Sequence, residues 1–304
     1  MDIQKKDCFL LIGEPINFGP RKSYKINDEY SLRKANKHQV KLIRKALISL
    51  GGSRMLLTYY KNEPKVNGNQ TSFEPLPYEN WRYGIITHNN LQVDSNMIIA
   101  LSLSDLDLHP IYENVNTGFS YQREKYNNFI SDNSFGVKRI IDAEKINLVN
   151  INSVYRNICK IDVGKDKHAD IWQALTDYQN INIIPSRSPL KIIAMISIIE
   201  SLIVRSDENI AHQIGSKLSF INNYLGNVVD LSEYISGSYK QYSVIKIIYK
   251  YRSDIAHGSV ADFNGGLKLI KNKENATEIV YRMLKMLLNF GIENPSFISD
   301  LKKI

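Results

Sequence analysis

Cysteine is nearly absent: two residues in 304, Cys8 and Cys159. Two thiols cannot build a disulfide framework or an all-cysteine zinc site. The six histidines, His38, His88, His109, His168, His212 and His257, show neither H-x3-H nor H-E-x-x-H spacing, so no metal or other cofactor is expected. The glycine patterns G-x-x-x-x-G-K-[ST], G-x-G-x-x-G and G-x-S-x-G are missing, which removes P-loop, dinucleotide-binding and nucleophile-elbow readings. Long apolar runs are also missing. The longest, Leu190 to Val204, is shorter than the ~20 residues of a bilayer span and contains Lys191, Glu200 and two serines. The apolar run near the start, Cys8 to Ile12, is too short for the core of a secretory signal. A soluble cytoplasmic protein with no membrane partner is expected.

Hydrophobic residues make up 43% of the chain and charged ones 23%, enough apolar material for a sizeable core. The length suits two domains. Lys+Arg 39 against Asp+Glu 31 gives a net charge of +8, which makes a polyanionic partner plausible and says nothing about fold.

The first half reads as mixed α and β. Cys8–Ile12 is expected to be a strand closed by Gly13, with GEPINFGP as a loop. Val40, Ile43, Leu47 and Leu50 recur at helical spacing before Gly51-Gly52. Met55–Tyr60 and Trp81–Thr87 look like strands, and the polar stretch 61–77 between them like a surface loop. Met97–Leu103 fits a short helix or a buried strand equally well. Asp105 and Asp107, in an alternating L-S-L-S-D-L-D-L stretch, read as the wet face of a strand.

The second half reads as helical, with segments at Asp170–Tyr178, Leu190–Val204, Asn209–Leu225 and Ser238–His257. A last helix is expected from Asn275, as N-cap with Glu278 at the capping-box position, to Gly291. Leu190–Val204 is apolar nearly all round, the mark of a buried central helix; Ser197, Glu200 and Ser201 form one narrow polar stripe on it. Short connections favour an antiparallel bundle. The domains are therefore placed at 1–140, an α+β unit, and 141–304, an all-α bundle.

The segment Val244–Gly258 ends in R-S-D-I-A-H-G, with Arg252 and His257 five positions apart at the end of a helix. Together with IAMISIIESLIV, an apolar helix that includes Glu200, and AHQIGSKLSFINNYL, it resembles the HEPN superfamily of helical bundles, in particular its Apea-like group. The resemblance covers roughly residues 165–290. It implies a metal-independent endoribonuclease that acts as a homodimer, with Arg252 and His257 as the catalytic pair in a cleft between two subunits. It also implies a place in phage defence or a toxin system, with a phage-derived or antitoxin regulator and the first domain as sensor.

The residue types suit such chemistry. A neutral imidazole can take the proton of a ribose 2′-OH or give one to the leaving 5′-oxygen. A guanidinium can grip the phosphate as charge builds on it. The products would be a 2′,3′-cyclic phosphate and a 5′-hydroxyl. Geometry adds a condition. Five residues of ideal helix turn ~500°, leaving the two side chains ~140° apart. They meet only if the last turn loosens, if the arginine reaches around, or if two chains share a site. Ser253 and Asp254 are auxiliary candidates, Asp254 to orient His257 or Arg252 or else to face solvent. Glu200 is either the buried partner of Arg252 or an exposed carboxylate at a gap in packing. Lys246 and Lys250 can extend a phosphate-binding face or form the solvated side of the helix. Tyr239, Tyr242, Tyr249 and Tyr251 can stack on unpaired bases or line the edge of the core. The rival function is a non-catalytic dimerisation or RNA-binding module, with the ligand site in the first domain.

Overall fold

The computed structural model describes residues 8–49, 60–64, 71–75, 77, 81–88, 93–106, 108–115, 118–120, 140–181, 183–185, 188–205 and 208–303. The chain forms two compact units, Met1–Tyr155 and Arg156–Ile304. The first is an antiparallel sheet flanked by helices and the second is helical. The first unit extends fifteen residues past the boundary expected at 140. Ile141 and Asp142 pair with the first strand, and Ala143, Ile146 and Ile151 are buried in that unit's core.

The sheet strands are β1 (Phe9–Asn17), β2 (Ser23–Lys25), β3 (Tyr30–Lys34), β6 (Tyr83–His88), β7 (Pro110–Val115), β8 (Gly118–Ser120) and β9 (Ile141–Asp142). Their order is β2-β3-β6-β1-β7-β8, with β9 joined to β1 in parallel. Phe9–Ile12 is apolar without alternation because both faces of the sheet are covered. Leu10 and Ile12 pack with Met97 and Leu101 of helix α2 (Ser95–Leu103). Phe9 and Leu11 pack with Val40 and Ile43 of helix α1 (Lys37–Ser49).

Three expectations for this half are corrected. β1 does not stop at Gly13 but runs to Asn17. A register shift between Leu11 and Pro15 forms a bulge that admits the proline to a central strand. Glu14 secures this bulge, its carboxylate accepting the backbone N–H of His109 at 2.9 Å and lying 3.0 Å from His109 Nδ1. Residues 61–64 and 71–75, placed in a loop, belong to the paired antiparallel strands β4 (Tyr60–Pro64) and β5 (Thr71–Pro75). Residues 101–104 are not strand but the end of α2. Ser102 and Ser104 are buried and return their hydroxyls to the carbonyls of Ile99 and Leu101, at 2.9 and 2.6 Å. The ambiguity at 97–103 is decided for helix by Asp94, whose side chain accepts Asn96 N at 2.9 Å as N-cap, and by burial on every side. Met55–Tyr59, Gly51-Gly52, Leu50 and Asp107 lie outside the described residues.

His88 ends β6 within this core, 5% exposed, and neither ring nitrogen has a partner among the described residues. Burial holds its pKa below the usual histidine value, so the folded chain keeps it neutral. The unfolded chain gains a proton below about pH 6.5 that the folded chain resists, and stability falls with pH through that range. Glu113, pushed up by burial, acts in the opposite sense at more acid pH. Urea midpoints at about pH 7.5 and 5.5 are expected to differ less in His88→Leu than in wild type; equal differences would remove His88 from the cause.

The second unit contains α4 (Ala169–Ile181), α5 (Pro189–Ile203), α6 (Ile210–Tyr224), α7 (Gln241–Ala256), α8 (Lys273–Glu293) and α9 (Pro295–Lys303). An unforeseen helix, α3 (Leu148–Val163), precedes them, and α9 was likewise unforeseen. α5 is central and touches α4, α6, α7, α8 and α9. Its core side chains include Ile192, Met195, Ile196, Ile199 and Leu202. Ser188 caps its start ahead of Pro189, and the buried Lys217 of α6 donates to the Ile203 carbonyl at its end, 2.7 Å away. α6 and α7 pack closely at Gly215, where a Cβ would come within 2.8 Å of the Tyr242 ring. α8 begins three residues earlier than expected: Asn272 is the N-cap, accepting Asn275 N at 2.8 Å, and Glu278 pairs with Arg282 instead of closing a capping box. It also continues past Gly291, against which Ile298 of α9 packs. Among the described residues no helix is long and apolar enough to cross a membrane.

Candidate functional site

α7 is amphipathic, with Val244, Ile245, Ile248 and Tyr251 buried. Between these positions it presents Tyr249 and Arg252 toward Glu200 of α5. Arg252 Nη2 lies 3.6 Å from Glu200 Oε2, and the two side chains are 25% and 21% exposed. The polar stripe on α5 therefore divides by function. Ser197 and Ser201 are exposed, while Glu200 faces the cation it needs.

Tyr249 completes this cluster, a role the sequence spacing did not suggest. The Arg252 guanidinium carbon lies 5.6 Å from the Tyr249 ring centroid. Burial raises the Tyr249 hydroxyl pKa; the neighbouring Glu200 adds to this through its charge and as acceptor, and Arg252 opposes it. Glu200 Oε1 and Arg252 Nε are buried without a hydrogen-bond partner among the described residues. The pair is thus joined on one side only, and the Arg252 donor left without a partner, Nε, is itself buried.

His257 is placed elsewhere. It is the C-cap of α7 and exposed. The helix ends in a Schellman motif: Ser259 N donates to Asp254 O at 2.8 Å, Gly258 N to Ile255 O at 3.1 Å, and Gly258 has φ +70°. The preceding α-helical bond, His257 N to Ser253 O, is intact at 3.0 Å. The last turn is not loosened, so the ~140° between the Arg252 and His257 directions stands. Arg252 does not reach around either, since it is held at Glu200. Among the described residues His257 has no side-chain hydrogen bond, ion pair or ring contact. The fold brings Arg252 and Glu200 together, with His257 apart.

Ser253 and Asp254 are half-buried in the last turn, and Asp254 serves the cap through its carbonyl. Lys246 and Lys250 are exposed, and the Lys250 amine lies over Gly266. Of the four tyrosines, Tyr251 is buried against Phe263 and Tyr242 bonds His212 Nδ1 at 2.8 Å. Tyr239 alone is largely exposed. Among the described residues no group of three or more His, Cys, Asp or Glu is placed to hold a metal ion.

Removing one partner of the Glu200–Arg252 pair strands the other. Glu200→Ala and Arg252→Ala are each expected to cost about 1–3 kcal/mol of stability, below the cost for a fully buried pair because solvent reaches both groups. The double variant should lose less than the sum of the two. Additive losses in urea unfolding would show that the pair is not coupled.

Comparison of the chain with protein-family models, characterised proteins and solved structures finds no match in any of the three.

Proposed function

We propose that the helical unit is a HEPN-like, metal-independent endoribonuclease, working as a homodimer in phage defence or a toxin system. The observation behind this reading is the preparation of Arg252. A carboxylate from the central helix and an aromatic ring hold its guanidinium, a quarter exposed, while His257, with an imidazole that has no partner among the described residues, is the C-cap of the same helix.

In the proposed reaction Arg252 holds the scissile phosphate and neutralises the charge that develops on it. His257 takes the 2′-OH proton as the 2′-oxygen bonds to phosphorus, and the 5′-oxygen leaves with a proton from water. Because the two side chains diverge along one helix, the site pairs Arg252 of one chain with His257 of another, which a two-fold axis near the end of α7 provides. Lys246 and Lys250 supply sequence-independent attraction to RNA. The sheet unit would act as sensor or regulator.

The Schellman ending favours a second reading, since it accounts for His257-Gly258 as a helix stop without chemistry. The unit would then be a non-catalytic dimerisation or RNA-binding module. Incubation with labelled RNA in EDTA separates the two. Cleavage leaving cyclic-phosphate ends supports the nuclease. RNA binding without cleavage, together with unimpaired growth of cells expressing the protein, supports the module.

A further inference from the structure

The positive charge of the chain is concentrated in one short segment. Residues 21–45 hold nine Lys or Arg against two acidic residues, a net charge of +7, while the other 279 residues hold 30 against 29. This segment forms β2, β3 and the start of α1, at one edge of the sheet. α1 turns Val40 and Ile43 into the core. Lys37, His38, Lys41, Arg44 and Lys45 fall within ~120° on the opposite side of the helix. Arg44 is half-exposed and the other four are exposed. No acidic residue occurs in α1.

The strands add to the same face. Leu32 packs in the core on the α2 side of the sheet, so its neighbour Arg33 lies on the α1 side. There Arg33 is in register with Ile85, which packs with Val40 and Ile43. Lys34 N donates to Lys22 O at 3.0 Å, which brings the exposed Arg21 and Lys22 alongside the end of β3. The two opposing groups, Asp28 and Glu29, lie between β2 and β3, and Asp28 pairs with Lys25 at 2.6 Å. Among the described residues no acidic side chain pairs with Arg33, Lys41, Arg44 or Lys45. The pattern does not serve the fold. Lys37, Lys41 and Lys45 recur at i, i+4, where like charges repel, and Lys37 occupies the first turn, where the helix dipole favours an acid. A polyanionic partner accounts for charges that stability does not.

We propose that this face of the sheet unit binds the phosphate backbone of double-stranded nucleic acid without reading its sequence. A duplex carries about one charge per 1.7 Å of its axis, and lysines four residues apart follow one another at ~6 Å along α1, so each meets phosphate. The exposed arc of α1 has no aromatic side chain to stack on unpaired bases, which favours a duplex over a single strand. The apolar side of α1 is already committed to the core and has nothing to insert into a lipid surface. The surface shares no residue with the Glu200, Arg252 and His257 set and does not rest on the ribonuclease reading.

Fluorescence anisotropy of the full chain with a labelled DNA duplex of about 20 base pairs tests the face. DNA has no 2′-OH to attack, so the result stands whether or not the chain cleaves RNA. The triple variant Arg33→Gln, Lys41→Gln, Lys45→Gln removes three exposed charges. It is expected to weaken duplex binding at least about tenfold at about 0.1 M salt, and to lower the slope of log affinity against log salt by about 2–3. Its thermal unfolding should come no earlier than that of wild type, because repulsion along α1 is relieved. A duplex of scrambled sequence should bind wild type equally well, and a single strand of the same length more weakly. Lys246→Gln with Lys250→Gln, in the helical unit, should weaken duplex binding less than the triple variant does. Absence of saturable duplex binding, an affinity and slope unchanged in the triple variant, or a larger loss from the helical-unit pair would overturn the assignment. Tighter binding to the single strand or to phosphatidylserine vesicles than to the duplex would overturn it as well.

Discussion

On the proposed ribonuclease reading, His257→Ala is expected to lower the rate of RNA cleavage in EDTA by about 10²–10⁴-fold while RNA binding persists, because the variant would lose a proton carrier and no phosphate contact. Arg252→Ala should lose cleavage and weaken binding as well. Arg252→Lys should not restore it, since an ammonium lacks the planar donor fork that answers Glu200 and phosphate together. The divergence of the two side chains on α7 adds a sharper expectation. If each site takes Arg252 from one chain and His257 from the other, a heterodimer of the two inactive alanine variants contains one intact site and one doubly dead one. Mixing and reannealing the variants should then recover about a quarter of wild-type activity, since about half the dimers are mixed and each has one working site. Recovery of nothing from active-when-unmutated protein would place both groups in one chain. Cleavage unaffected by His257→Ala would end the assignment of that residue.

Ile199→Ala is expected to produce the largest loss of stability among single truncations in the helical unit, about 2–5 kcal/mol. Ile199 is buried on α5, which packs against five other helices, so the space it leaves is bounded on all sides and cannot collapse. It also lines an apolar cavity of about 20 Å³ with Ile196, Leu218 and Ile248, and truncation enlarges a void already present. Ser201→Ala, two residues on and on the exposed side of the same helix, should change stability by no more than about 0.5 kcal/mol. Equal effects of the two substitutions in urea unfolding would contradict the central placement of α5.

Local chemistry determined much of this protein. Gly226 and Gly258 end α6 and α7 because each has positive φ, at +77° and +70°, where a side chain would be strained. The apolar run 190–204 announced its own burial, since a helix without a polar face must be enclosed. The ~140° between Arg252 and His257 followed from the pitch of an α-helix, and the intact bond at Ser253 preserved it. Such features depend on residues within a turn or two of one another.

Tertiary structure decided the rest. Pro15 reads as a strand breaker, and only its neighbours on both sides make a bulge there worth forming. Residues 60–64 and 71–75 show no apolar alternation, so their pairing was invisible until the backbones met. The start of α8 moved from Asn275 to Asn272 because both asparagines are competent caps, and packing selected the earlier one, with Asn275 instead donating to the Tyr234 carbonyl. Glu200 offered two readings from sequence, solvent or a partner. The partner lies more than fifty residues away, and only the packing of α7 on α5 brings Arg252 to 3.6 Å and Tyr249 beside both. Sequence spacing specifies which face of a helix a group occupies; which charge waits opposite is set by helices that meet only in the folded core.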